Sequence, residues 1–424
     1  MSEGHEVSVL CSRGRYLEGR GEAPAFEIRN GVTIKRLRAT SFGKGNHLGR
    51  LVDYFSFHVL ASARLAFSRW ADVVVTLTTP PMIGVCGRIA RTFSGAKHVN
   101  FLMDLHPDAE FECGMINRAS LPGRLLEGVA GSILRKAHMN VVLGKYQSKR
   151  VSERGVAPER IVEIPVWSDG DEIVPVSHSD NHLRSSLGWD ERFVVMYSGN
   201  AGIVHGFDEV LDAATQLDQT HPEVLFVFVG GGPRKAEIEN TVRTTKLQNV
   251  DFLPYFDRNE LRYSLSAADV HFMSLLPQHV GVAVPGKLYG ILAAGRPVLF
   301  VGSPECETAE TIVAANAGAV FAAGQGSELA QEIIALTANA TLLEKQGRNG
   351  RAYFMQHHEK GVCVEAWRNL LESIDGVSQS RLSSEDSTTV RTVPARADHV
   401  DGIVAALPAD SQSRVERDVQ SRIG

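Results

Sequence analysis

The sequence predicts an α/β protein made of two doubly wound domains in series, and three observations carry that expectation. From Gly4 to about Leu275, short β-branched apolar runs alternate with stretches of helical length, the pattern of parallel sheets built from βαβ units. A chain of 424 residues, 43% of them hydrophobic, is too long for one ordinary core. Two series of such runs are separated by Trp167 to Asp190, a polar stretch rich in Asp, Ser and His with no sustained period.

Taken in order, the first series predicts strands near Val7–Leu10, Thr33–Leu37, Val73–Leu77, Val99–Met103, Val141–Leu143 and Ile161–Ile164. The second predicts strands near Phe193–Ser198, Leu225–Val229, Val250–Phe252, Val270–Met273, Pro297–Val301 and Ala319–Phe321. The expected division is a first domain over 1–166, a linker over 167–190, a second domain over 191–355 and a terminal helix over 356–375. In that helix Val362, Ala366, Leu370 and Ile374 share one stripe. Residues 376–424 carry no aromatic side chain and many Ser, Thr, Asp and Arg. Too little apolar surface is present to offset their ordering entropy, so a disordered tail is expected. Two such domains in series are expected to face each other across a cleft at the carboxyl ends of their sheets, where ligands of doubly wound folds bind.

Composition excludes several classes. The five cysteines, at 11, 86, 113, 306 and 363, form no C-x-x-C pair and no even set, so neither a zinc framework nor a disulfide scaffold is written here. A reducing cytoplasm is the expected compartment. Lys and Arg number 44 against 49 Asp and Glu, a formal net charge of −5 that gives no reason to expect nucleic acid as a partner. The opening MSEGHEVSVLCSR places acids ahead of any arginine and is unlike a secretory signal. The most apolar long window, Tyr54 to Phe67, is broken by His58 and Arg64 and is too short to span a bilayer.

Three segments have the chemistry of a ligand site. In Val284 to Leu299, VPGKLYGILAAGRPVL, a turn with Pro285 and Gly286 opens a helix whose first turn carries Lys287 and Leu288. Free backbone N–H groups, the helix dipole and a full positive charge would together favour a phosphate. An ordinary α/β connection with a solvated lysine reads the same way. In Tyr197 to Gly206, YSGNAGIVHG, Gly199 and Gly202 flank Asn200 and permit close backbone approach, and His205 stands before the next helix. A lone histidine is equally a structural group. Val227 to Lys235, VFVGGGPRK, repeats the loop chemistry around Gly231 on the neighbouring strand, without the spacing of a Walker loop. After the strand at Val250, the turn with Pro254 and Tyr255 is placed either to meet a nucleobase or to pack.

In their order, the segments YSGNAG with HGFDEVLDAA, FVFVGGGP, VDFLPY, LRYSLSAADVHFMSLLP and VPGKLYGILAAGRPVLF resemble the group 1 glycosyltransferases of the GT-B fold. The resemblance spans roughly Gly4 to Ile374. Within that family TTPPMIGV at 78–85 and MDLHPD at 103–108 are similar to enzymes of bacterial O-antigen, capsule and colanic-acid-type polysaccharide synthesis. The resemblance implies two Rossmann-like domains and transfer of a sugar from a nucleotide-diphosphate donor, held mainly by the second domain, to a lipid-linked saccharide acceptor held by the first. It implies no metal and no bound cofactor, basic groups doing the work of stabilising the departing diphosphate. Contact with the inner face of the cell membrane is expected too. The stretch Arg13 to Arg50 holds nine Lys or Arg and three acids beside the apolar Tyr54 to Phe67, although a solvated basic face has the same composition.

Departures from the family pattern sharpen the expectations. Where relatives carry a pair of glutamates eight residues apart, this chain has Val282 and Gly290. Loop positions that relatives often fill with Arg and Lys are Asn200 and His205, which shifts electrostatic work to Lys287. GHEVSVL resembles the second strand of the family's first domain, so that sheet is expected to lack its usual opening strand. Asp104, with Asp108 near it, is the expected catalytic base, and capping of the following helix is the alternative. Glu307, close to Glu310, falls where relatives place a donor-sugar carboxylate, or simply begins a helix with acids. Two other functions fit the sequence, a GT-B nucleotide-sugar epimerase and a non-catalytic nucleotide-sugar-binding subunit.

Overall fold

The computed structural model describes residues 5–14, 23–42, 47–67 and 71–382. The chain gathers into two compact units. One contains the described residues up to Phe101, Lys136–Met139 and those from Glu372 on; the other contains Leu102–Arg135 and Asn140–Leu371. This grouping differs from a division at 166 and 191, because segments between 102 and 164 bond to later ones. The Leu105 N–H donates to the Val282 carbonyl at 2.8 Å, and the Tyr146 N–H donates to the Glu307 carboxylate at 2.9 Å.

In the first unit, strand β1 (Ser8–Ser12) runs parallel to β3 (Val32–Leu37), whose other edge pairs antiparallel with β2 (Phe26–Arg29), giving the order β1-β3-β2. The β2–β3 hairpin closes on Asn30 and Gly31, at φ 49° and 78°. Positive φ at both central residues is the two-residue turn whose twist matches the strands it joins. Strand β4 (Val73–Thr76) pairs parallel with β5 (Lys97–Phe101). The helices His47–Ala66 and Gly84–Phe93 pack against these strands through Ala61, Leu65, Ile83, Cys86, Ala90 and Ala96, with Leu10, Leu37, Phe57 and Val74 around them. Leu48, Leu51, Val52, Phe55 and Val59 of the longer helix lie off that buried face and are exposed.

The second unit has a parallel pair, β6 (Met139–Val142; Met139 itself groups with the first unit) and β7 (Ile161–Glu163). It also has a six-stranded parallel sheet of β8 (Phe193–Ser198), β9 (Val224–Val229), β10 (Val250–Leu253), β11 (Val270–Ser274), β12 (Val298–Val301) and β13 (Gly318–Phe321), in the order β10-β9-β8-β11-β12-β13. Helices cover both faces, which is why these strands read as unbroken apolar runs. The period of two is still present: Val195 and Tyr197 face one core with Phe207, Phe226 and Phe272, while Val194 and Met196 face another with Leu225 and Val227. The strand order reverses at β8, placing a switch point between β8 and β11. All five cysteines are free thiols.

The expected linker is stitched down along its length. Arg351 donates to the carbonyls of Ile173, Ala293 and Gly170 at 2.8, 2.7 and 2.9 Å. Arg296 reaches the carbonyls of Val176 and Ser266 at 2.8 and 2.6 Å, and Arg184 bonds the Ala267 carbonyl and the Asp269 carboxylate at 2.7 and 3.0 Å. A stretch without helical or strand period is thus held by Arg351 and Arg296 from elsewhere and by its own Arg184 reaching outward, pairings with distant partners that local sequence does not contain. The terminal helix also differs from expectation. It runs Lys360–Leu382, beyond 375, and a separate helix, Ala340–His357, precedes it. The rest of the expected tail, 383–424, lies outside the described residues. Replacing Arg351 by Ala is expected to lower stability by about 2–3 kcal/mol, since three carbonyls lose a charged donor together. A lower urea midpoint with an unchanged m-value checks it.

Candidate functional site

The glycine-rich turns after β8 and β9 lie backbone against backbone. The Gly199 N–H donates to the Val229 carbonyl at 2.9 Å, the Ala201 N–H to the Gly231 carbonyl at 2.7 Å, and the Arg234 N–H to the Ala201 carbonyl at 3.1 Å. Gly230, at φ +120°, is obligatory: a Cβ there would sit 2.5 Å from the Gly199 carbonyl oxygen and 2.8 Å from the Tyr255 ring. Tyr255, half-exposed at 52%, therefore lies over this backbone. Asn200 is exposed and its carbonyl accepts from the Tyr197 hydroxyl at 2.8 Å; Gly202 follows in the same turn.

Lys287 meets these loops from the far side of the switch point. Its Nζ donates to the Tyr197 hydroxyl at 2.5 Å, lies 3.4 Å from His205 Nε2 and stands 3.9 Å over the Tyr197 ring centroid. A Cβ on Gly199, at φ +137°, would come within 3.5 Å of that Nζ, so the glycine admits the ammonium. Among the described residues no carboxylate forms an ion pair with Lys287. Burial lowers the Lys287 pKa to about 7. His205 is buried, with Nδ1 2.5 Å from the Ser274 carbonyl; burial first, then the Lys287 charge, lowers its pKa to about 3. Burial also pushes the Tyr197 hydroxyl up, with Tyr255 adding to the shift. Tyr197 is the site residue that sequence reading passed over; the available signal was a tyrosine beside Ser198 at the end of an otherwise apolar strand.

The segment carrying Lys287 is a helix of only two turns, Lys287–Ala293, so its terminal dipole is weak and the side chain supplies the positive field. Gly286 is exposed at the helix start, whereas Pro285 is buried and Leu288 is fully buried in the core with Met273, Ile291 and Phe300. Val282 packs with Leu102, Leu105 and Val142. Gly290 faces Leu265, Ile173 and Ser168, so neither position of the missing glutamate pair holds a carboxylate.

The other acids divide by what holds them. Asp108 is buried against Arg118 at 3.1 Å and against Arg154, a structural ion cluster. Asp104 forms a β-bridge with Ala283, four residues before Lys287, and its carboxylate accepts no hydrogen bond among the described residues. Burial raises its pKa, opposed by His106 and aided by Glu110. His106 Nδ1 meets the Glu110 carboxylate at 2.8 Å. Glu307 accepts the N–H groups of Tyr146 and Gln147 at 2.9 and 3.2 Å at the start of the helix Lys145–Glu153, and burial raises its pKa. Glu310 accepts from the Tyr146 hydroxyl at 2.6 Å and pairs with Lys145 at 2.8 Å. Among the described residues no three His, Cys, Asp or Glu side chains come together as a metal site.

Comparison with known proteins gives this arrangement its family. Residues 179–353 match the model of glycosyl transferases group 1, and residues 1–167 match that of the glycosyl transferase 4-like domain. WcaI of Escherichia coli (strain K12), named as a colanic acid biosynthesis glycosyl transferase, is 28% identical over 319 residues, 69% of this chain and 74% of that protein. WbjE of Pseudomonas aeruginosa, named as a glycosyltransferase, is 27% identical over 276 residues, 64% of this chain and 66% of that protein. HepE from Anabaena, solved in complex with UDP-glucose, superposes with a TM-score of 0.63 at 17% identity, covering 81% of this chain and 86% of that one. The fold is GT-B, and the chain belongs to the group 1 glycosyltransferases, as an enzyme of that class.

Proposed function

We propose that this enzyme transfers a sugar from a nucleoside-diphosphate sugar, a UDP-sugar or similar, to a lipid-linked saccharide in bacterial surface polysaccharide synthesis. The observation that carries the reading is the Lys287 ammonium, without a carboxylate partner among the described residues, set against the glycine-rich turns at 199–202 and 230–232. A diphosphate placed there would supply the missing negative charge. The same ammonium would then offset the charge that grows on the leaving oxygen as the sugar departs, without a metal ion. The half-exposed Tyr255 ring beside Gly230 and Gly231 offers a flat apolar face to the base. Asp104 is the candidate base for the acceptor hydroxyl: its carboxylate is uncommitted, and its raised pKa brings it closer to neutrality.

The names of WcaI and WbjE and the UDP-glucose complex of HepE support the substrate class by analogy. Contact with the inner face of the cell membrane belongs to the same proposal. It is supported by the exposed apolar stripe from Leu48 to Val59 and by the basic stretch ahead of it. No described helix is long and apolar enough to cross a membrane. An epimerase would need carboxylates converging on the donor sugar, and the Glu307 carboxylate is already held by two amides.

Calorimetry on the full chain against UDP, GDP, ADP and dTDP should find at least one ligand, and Lys287→Ala should weaken it by about 1.5–3 kcal/mol, the scale of a charge-assisted hydrogen bond. An unchanged dissociation constant in a variant with native circular dichroism contradicts the phosphate role. Asp104→Asn should leave nucleotide affinity unchanged while transfer slows by about 10²–10⁴-fold, measured as sugar released into acceptor per enzyme. Full turnover in that variant removes Asp104 from the chemistry.

A further inference from the structure

Lys287 sits among groups that are neutral or already paired. From β8 comes Tyr197, and from the turn after it His205; a carbonyl can only accept, so His205 donates from Nδ1 to Ser274 and leaves Nε2 as a lone pair facing the amine. Tyr255, from the turn after β10, acts electrostatically on Tyr197. His279 and Arg234 act on His205; Arg234 is bound to the Glu237 carboxylate at 2.9 and 2.7 Å, and burial lowers His279. Tyr289, on the lysine's own helix, is buried in the core against His358 instead, with ring centroids 4.4 Å apart. The ammonium thus has two neutral acceptors, and a third N–H without a partner among the described residues.

We propose that Lys287 is a proton-coupled anion site: entry of the nucleoside diphosphate draws one proton from solvent onto the amine, and departure of the diphosphate returns it. This rests on the nucleotide reading above and goes beyond it by assigning the charge state of the empty site. With burial holding the free amine at a pKa of about 7, a diphosphate at hydrogen-bond distance restores the charged form and raises that pKa. A group whose pKa rises on binding contributes its full affinity below the free-state pKa. That affinity is lost as pH climbs from there toward the bound-state pKa. His205, at about 3, stays neutral across this window. Tyr197, pushed up, does so too.

The test is calorimetry of UDP binding to the full chain at pH 8 in buffers of different ionisation enthalpy, with the affinity followed from pH 7 to 9. Uptake of about 0.9 proton per UDP is expected at pH 8, with affinity falling about tenfold between pH 8 and 9. In Lys287→Arg, whose side chain stays charged throughout, both effects should vanish while UDP still binds. The wild-type uptake stands on its own should the arginine variant fold poorly. UDP binding with no proton uptake overturns the coupling and leaves the donor assignment intact. Uptake that persists in Lys287→Arg moves it to another group and overturns the proposal. If no nucleoside diphosphate binds at any pH, the donor reading and this inference both fall.

Discussion

A positive charge held without a negative partner is the constraint around which the second unit's ligand face is organised. Removing an ammonium from water costs several kcal/mol unless an opposite charge or good acceptors replace the lost hydration. Around Lys287 the replacement is partial: one hydroxyl, one imidazole lone pair and the face of a tyrosine ring. The remaining cost lowers the pKa of the amine to about 7 in the empty site, and an anion that enters offsets it. In this way burial, which weakens the free cation, strengthens its response to a ligand.

That arrangement depends on packing some distance away. Tyr197 can hold the amine only because its ring is fixed edge-on against Phe207, with centroids 5.0 Å apart, in the core between the sheet and its helices. The hydroxyl in turn bonds the Asn200 carbonyl, so the core residue also fixes the glycine turn. Strand order then does the rest. Because the direction of strand addition reverses at β8, the turn after β8 and the segment after β11 approach each other with no helix between them.

Much of this was legible beforehand where one property of a local stretch decides the outcome. Apolar β-branched runs fixed in length by turns located the strands from Val73 through Phe321 within a few residues, and Phe193–Ser198 at its observed ends. The strand Phe26–Arg29 was missed although Asn30–Gly31 marked its hairpin, because its apolar–polar alternation lasts only four residues and its apolar side chains, Phe26 and Ile28, are exposed. The site was legible as residue types and opaque as partners. Lys287, Gly199 and Gly230–Gly231 could be singled out for what they are. That Asp108 would be consumed by Arg118 and Arg154, that Glu307 would cap a helix some 160 residues earlier, and that Tyr197 would grip the lysine are facts about distant partners. Leu288 shows the same limit from the other side, since a residue one step from the lysine points wholly into the core.

A site that spread phosphate binding over several cations would tolerate the loss of one. Here the loop positions hold Asn200, whose carbonyl is used internally, and His205, whose Nδ1 is tied to Ser274, and the helix behind Lys287 is two turns long. Of the other cations at these turns, Arg234 pairs with Glu237 and Lys235 with Glu239, so the electrostatic work proposed for the site concentrates on Lys287. As a sugar diphosphate becomes a free diphosphate its negative charge increases, so a lone ammonium binds the product side more strongly than the substrate side, and stabilisation of the departing group comes with slower release. An amine whose charge is drawn from solvent, rather than fixed as in a guanidinium, eases that conflict: above the free-state pKa part of the binding energy goes into taking up the proton, so the product is held less tightly than by a permanent cation.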